Sequence, residues 1–118
     1  MTALDLNFAL PAHVNELAAR VKTFVQEQVI PYEKDPRWTS HGPTDELRRE
    51  LNALADRAGV LAPHAPREFG GAGLSHIGRA AVFTAAGYSM LGPIALHCAA
   101  PDEGNIHMLD VIANPEQR

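Results

Sequence analysis

Residues Ser75–Ser89 carry Ile77, Ala80, Ala81, Val82, Phe83, Ala85, Ala86 and Tyr88, so a helix there is apolar nearly all round. Such a helix has to be covered on most sides. The rest of the chain must therefore supply surrounding helices, and their patterning is present. From Pro11 to Ile30, Val14, Leu17, Ala18, Val21, Phe24, Val25 and Val29 recur at helical spacing. Pro11 suits a first turn, and Pro31 predicts the end of this helix by denying Ile30 the α conformation. A second helix is expected from Thr44 to Ala58, with Leu47, Leu51, Leu54 and Ala58 on one face and Glu46, Arg49, Glu50 and Asp56 largely opposite. Gly59 is placed to close it in the left-handed conformation. No convincing strand is visible, and the expected class is all-α, a helical bundle.

The connections are rich in breakers. "PYEKDPRWTSHGP" holds three prolines and a glycine and reads as a loop whose Trp38 packs down onto the helices. "VLAPHAP" cannot continue a helix and is expected to be extended. "LGP" at 91–93 breaks the chain again, before a short helix and a last one from about Asp102 to Ala113. The closing "NPEQR" has an N-cap Asn114, Pro115 next to it and Gln117 at capping-box spacing. A further helix is thus announced just where the residues stop, which predicts the front part of a longer protein or a piece cut from one.

A chain of 118 residues is one domain at most. Its 46% apolar and 20% charged residues are ordinary for a soluble globular protein. A formal charge of -4, with only Arg48-Arg49 adjacent among ten scattered basic residues, argues against a nucleic-acid partner. The single Cys98 excludes an internal disulfide and fits a reducing compartment. The N-terminal "MTALDLNFALP" has no positive n-region and no sustained apolar run, and no stretch approaches the length of a membrane span. The expected location is the cytoplasm.

"PREFGGAGLS" packs three glycines into four positions. A glycine loop entering a helix can hold a phosphate, but a dinucleotide fingerprint needs a preceding strand and a βαβ unit, and a P-loop needs Lys-Ser or Lys-Thr. The residues favour a tight turn in which Gly70, Gly71 and Gly73 take positive φ and Ser75 caps the next helix. None of the six histidines sits in an i, i+4 pair, so no metal site is expected. A nucleophilic Cys98 would need a histidine base from elsewhere in the fold. Asp102 reads as an acid complementing a helix dipole, whereas Glu103 stays open. No catalytic, cofactor or metal ligand is assigned.

Two stretches, read together, resemble the N-terminal α-domain of the acyl-CoA dehydrogenases. "AGVLAPHAPREFGGAGLS" is similar to the family segment "P-x-x-[FY]-G-G-x-G-[LM]-[ST]" that follows a helix ending in glycine, matched here by Gly59, Pro66, Phe69, Gly70, Gly71, Gly73, Leu74 and Ser75. "CAAPDEGNIHMLDVIANPEQR" resembles the family helix with a Glu-Gly-Asn step that ends before "x-P-E-Q-[KR]". "VKTFVQEQVIPYE" looks like the first long helix with its trailing proline, so the likeness covers essentially the whole chain. The "APDEGN" wording is similar to a branch acting on long-chain or hydroxylated acyl-CoAs.

The resemblance implies a protein roughly three times as long, with a middle β-domain and a C-terminal helical bundle, so residues 1–118 would be cut off before the β-domain. It implies that the glycine stretch is an inter-helix turn and that FAD is bound mainly by the other two domains, with none expected on this chain alone. In the complete enzyme a C-terminal glutamate would remove the pro-R α-proton of an acyl-CoA thioester while the β-hydride passes to flavin N5. An electron-transfer partner would then reoxidise the flavin. The Glu-Gly-Asn match places Ala99, Ala100 and Glu103 on one wall of the acyl pocket, the small alanines leaving room for a longer or substituted chain. The chain alone would be inactive, and its uncovered apolar helices predict self-association or a homo-oligomer. The alternative is a stand-alone helical interaction module or a degenerate partner subunit without catalysis.

Overall fold

A computed structural model describes residues 10–118; all but the last two residues of the N-terminal stretch read above for a signal peptide lie outside them. Five α-helices dominate: α1 (Ala12–Phe24), α2 (Asp45–Arg57), α3 (His76–Ala86), α4 (Gly92–Ala95) and α5 (Asp102–Ile112). The class is all-α, as the periodicity implied. Val14, Leu17, Val21 and Phe24 of α1 are buried with Leu47, Leu51 and Ala55 of α2 and with Val82, Ala85 and Ala86 of α3 in one core. Leu91, Ala95 and Leu96, in and around α4, complete it.

Pro31 does not end the first helix as expected. Ile30 keeps right-handed helical angles, and a wide π turn, Val25–Val29, leads into a 3-10 turn, Ile30–Lys34, that contains the proline. Widening the helix just before a proline relieves the clash of its ring with the preceding turn. It also keeps both Val25 and Val29 buried. Burial of these two residues thus outweighs the local preference of the residue before proline.

The Pro/Gly-rich loop contains a minimal antiparallel hairpin that the sequence did not reveal, β1 (Trp38–Thr39) and β2 (Gly42–Pro43). Strands of two residues carry no alternation to read. Arg37 pins this loop to α2, bonding Asp35 at 2.9 Å, Glu46 at 3.3 Å and Glu50 at 2.6 Å. Trp38 is half-buried against the core.

Helix α2 is built as its sequence indicates. Thr44 caps it by accepting from the Leu47 N–H, and Gly59 closes it at φ +74°. The Gly59 N–H donates to Asp56 and the Val60 N–H to Ala55, the two bonds of a Schellman end. Asn52 Nδ2 donates to the Ile94 and Ala95 carbonyls, both at 2.9 Å, fastening α2 to α4.

Helix α3 is shorter and less enclosed than expected. It ends at Ala86, where the Gly87 N–H turns back to Phe83 and Thr84. Its buried face is Gly78, Val82, Ala85 and Ala86, and Ile77 is 69% exposed. "LGP" starts α4 rather than breaking the chain, because a proline in a first turn has no N–H to lose. The stretch expected to be extended, 60–66, is a series of bends with Ala62 at φ +46°. At the other end Asn114 Oδ1 accepts from Gln117 and Gln117 Oε1 accepts from Asn114, a closed capping box.

In the glycine stretch, Gly70 and Gly73 have φ of +91° and +60°. Gly71 does not; it is glycine for a different reason, since a Cβ there would collide with the Ala65 carbonyl. Ser75 Oγ accepts from the Gly78 N–H at 3.2 Å and caps α3. Ser75→Ala should therefore cost about 1 kcal/mol. Gly71→Ala should cost more, about 2 kcal/mol or beyond, because the obstacle is backbone. Urea melts of both variants measure this; equal stability of Gly71→Ala and wild type would refute the close-approach account.

Candidate functional site

The glycine stretch is closed upon itself. The N–H groups of Gly70, Gly71, Ala72 and Gly73 donate to the carbonyls of Arg67, Pro66, Pro63 and Ala65 at 2.9–3.1 Å. A phosphate cradle needs such groups free to point at the anion, so this segment does not fit the pyrophosphate of a dinucleotide. It acts instead as a rigid strap that sets the start of α3 and holds the 63–66 bend.

Ala99, Ala100 and Glu103 lie where the chain turns into α5. The Ala99 N–H donates to Pro93, and the Glu103 N–H donates back to the Ala99 carbonyl at 3.2 Å. Ala99 and Glu103 are half-buried and Ala100 is exposed. Asp102 and Glu103 occupy the first turn of α5, where the N–H dipoles favour negative charge. Just before them His97 holds φ +58°, unusual for a residue with a side chain, and its Nδ1 lies 3.5 Å from Asp102 Oδ2.

The Glu103 carboxylate exerts its field on two buried groups. Burial, joined by the charge of Glu103, pushes the Cys98 thiol up to about 12. At neutral pH Cys98 is therefore a thiol, without the thiolate that nucleophilic catalysis requires. His64 is lowered by burial, opposed by Glu103 and reinforced by Arg79 and His97. His64 is 3% exposed, with its ring edge-on to Phe83 at 5.6 Å between centroids. Both its ring nitrogens, and Nε of Arg79, are buried without a hydrogen-bond partner among the described residues.

His64 and Arg79 were not singled out by the sequence. The only signal for His64 was its setting between apolar and proline residues in "LAPHAP", too short for any periodicity to show which face is buried. His97 is half-buried and His107 exposed beside the same region. Among the described residues no three His, Cys, Asp or Glu side chains converge as metal ligands, and no helix is long and apolar enough to cross a membrane.

The profile of the acyl-CoA dehydrogenase N-terminal domain matches residues 11–118. The chain belongs to that family. FadE2 of Mycobacterium tuberculosis, named a probable acyl-CoA dehydrogenase, is 30% identical over 120 residues. That alignment takes in 96% of this chain and 29% of the relative. A solved structure from Mycobacterium abscessus, assigned to the acyl-CoA dehydrogenases, superposes with a TM-score of 0.73 at 29% identity. It covers 92% of this chain and 30% of that one. The chain thus spans under a third of the length of both relatives, and what matches is the helical domain described above.

With its glycine N–H groups committed internally, this domain should not hold FAD by itself. Equilibrium dialysis of the 118-residue chain against FAD checks this; a dissociation constant in the low micromolar range would contradict the closed-strap geometry.

Proposed function

We propose that this domain forms one wall of the acyl pocket of an FAD-dependent acyl-CoA dehydrogenase, an enzyme that introduces an α,β double bond into acyl-CoA thioesters. The observation that carries the proposal is the family match over residues 11–118. In this reading the flavin serves as hydride acceptor and is held by parts of the protein beyond these residues, as is the carboxylate that removes the α-proton. The contribution of the chain itself is shape and the exclusion of water. Ala99 and Ala100, ahead of α5, leave space for the acyl chain, and Glu103 closes the wall. A cytoplasmic location is proposed from the lone thiol of Cys98.

The 118 residues alone should not oxidise acyl-CoA. A longer protein that contains them should bleach flavin absorbance when an acyl-CoA is added. In that protein Ala99→Phe should shift preference toward shorter acyl chains, raising KM for long ones more than it lowers kcat. Turnover by the isolated chain with FAD and a dye acceptor would overturn the division of labour. An unchanged chain-length profile would remove Ala99 from the wall.

One surface supports an association reading as well. Helix α5 has no buried residue and exposes Met108, Leu109, Val111 and Ile112. In the longer protein this face is proposed to be covered by the remaining domains; in the isolated chain it should meet a second copy. Sedimentation over a rising concentration series should show reversible self-association, which Leu109→Glu with Ile112→Glu should abolish. A clean monomer at millimolar concentration would count against it.

A further inference from the structure

His64 lies in the middle of a bend whose neighbouring residues are all fastened. The Ala62 N–H donates to the Leu96 carbonyl at 2.7 Å, the Pro63 carbonyl accepts from Ala72, and the Ala65 carbonyl accepts from Gly73. The Pro66 carbonyl takes the Gly71 N–H, and Gly71 itself sits too close to the Ala65 carbonyl for any side chain. Inside this bend the buried imidazole meets Phe83 of α3 edge-on. Carrying the ring out to water means moving the backbone on either side of it, and with that backbone the carbonyls to which the strap is bonded. A buried ring and a closed strap are thus one state of the molecule.

Charge decides when that state is favoured. Arg79 of α3 and His97, ahead of α5, disfavour a cation on the ring, whereas Glu103 of α5 favours one. His107 and Asp110 of α5 border the same cavity, and Asp110 is engaged by Arg118. Burial is the largest influence, and it holds the imidazole below the usual histidine range. With the bend open, the ring titrates in water near about 6.5. Above that pH it is neutral in both states, and closure is unaffected by protons. Below it the open state binds a proton that the closed state refuses. Closure therefore weakens as pH falls, by up to about tenfold per pH unit, until the lower value of the closed state is reached.

We propose that His64 is an acid-sensitive catch: its protonation releases the 63–66 bend and the glycine strap together, while the core between α1 and α2 stays packed. The opening is local because the strap runs through the exposed residues Phe69 and Gly70, whereas Val21, Leu47 and Leu51 are fully buried. It also breaks the bond from Ala62 to Leu96, which holds the chain just before it turns into α5. The catch needs neither flavin nor substrate, so it stands apart from the acyl-pocket reading.

Amide hydrogen exchange of the 118-residue chain, followed by NMR from about pH 7.5 to about pH 5 and corrected for the intrinsic pH dependence of exchange, measures strap closure. Protection of the Ala72 and Gly73 amides should fall by up to about tenfold per pH unit below about pH 6.5. Protection of Val21 and Leu51 should hold over the same range. H64F should remove the pH dependence at the strap, and H76N and H107N should keep it. Should H64F not fold, the imidazole resonances of the wild-type chain decide, since His64 should take up its proton in step with the loss of strap protection. Strap protection that ignores pH, an equal loss in α1 and α2, an undiminished dependence in folded H64F, or a protonated His64 beneath a closed strap overturns the proposal.

Discussion

Two places where no side chain can fit govern the rest of this fold. Gly71 lies against the Ala65 carbonyl, and Gly92 lies against the Ala86 carbonyl with Val25 Cγ2 close by. The first contact folds the glycine strap onto the 63–66 bend and so fixes where α3 begins. The second brings the start of α4 against the end of α3 over the π turn of the first helix. Between them they set both ends of α3, on whose placement the core around Val21, Val82 and Leu96 depends. Close packing of backbone on backbone leaves little room for adjustment, since peptide groups cannot choose another rotamer.

The same closeness separates this glycine segment from a phosphate loop. Both kinds of loop need glycine for tight approach, yet they spend their N–H groups differently. Here four consecutive groups satisfy carbonyls of Pro63, Ala65, Pro66 and Arg67. The bend in turn presents His64 to the interior, and its Ala62 N–H donates to the Leu96 carbonyl, linking strap and α4. A structural turn therefore positions an unusual buried imidazole, which places polar chemistry beside a segment whose own polar groups are used up.

Electrostatics at the entry to α5 follow from the same arrangement. The acids of its first turn sit at the helix N-terminus, while Cys98 and His64 lie buried and Arg79 half-buried beside them. Glu103 acts on both the thiol and the imidazole, although neither is its neighbour in sequence. The thiol stays protonated and the imidazole neutral because burial disfavours the charged form of each. Arg79 is then the one strongly basic group of this cluster, while Arg118 serves Asp110 from the other side.

Much of the local structure was legible from sequence because it rests on local causes. Helical spacing identified α1 and α2, Thr44 and Gly59 bounded α2, and Asn114 with Gln117 closed a capping box within four residues. Tertiary structure decided what depends on residues far apart. Pro31 was kept within a helical stretch because Val25 and Val29 had a core to fill. The span of α3 was cut at Gly87, whose N–H turns back to Phe83 and Thr84, and Ile77 was left on the exposed face. Gly71 has to be glycine because of a carbonyl six residues earlier, and His64 met Arg79 only through the fold. Spacing and caps report forces within a turn or two; burial and unpaired charge are set by neighbours that the linear chain does not name.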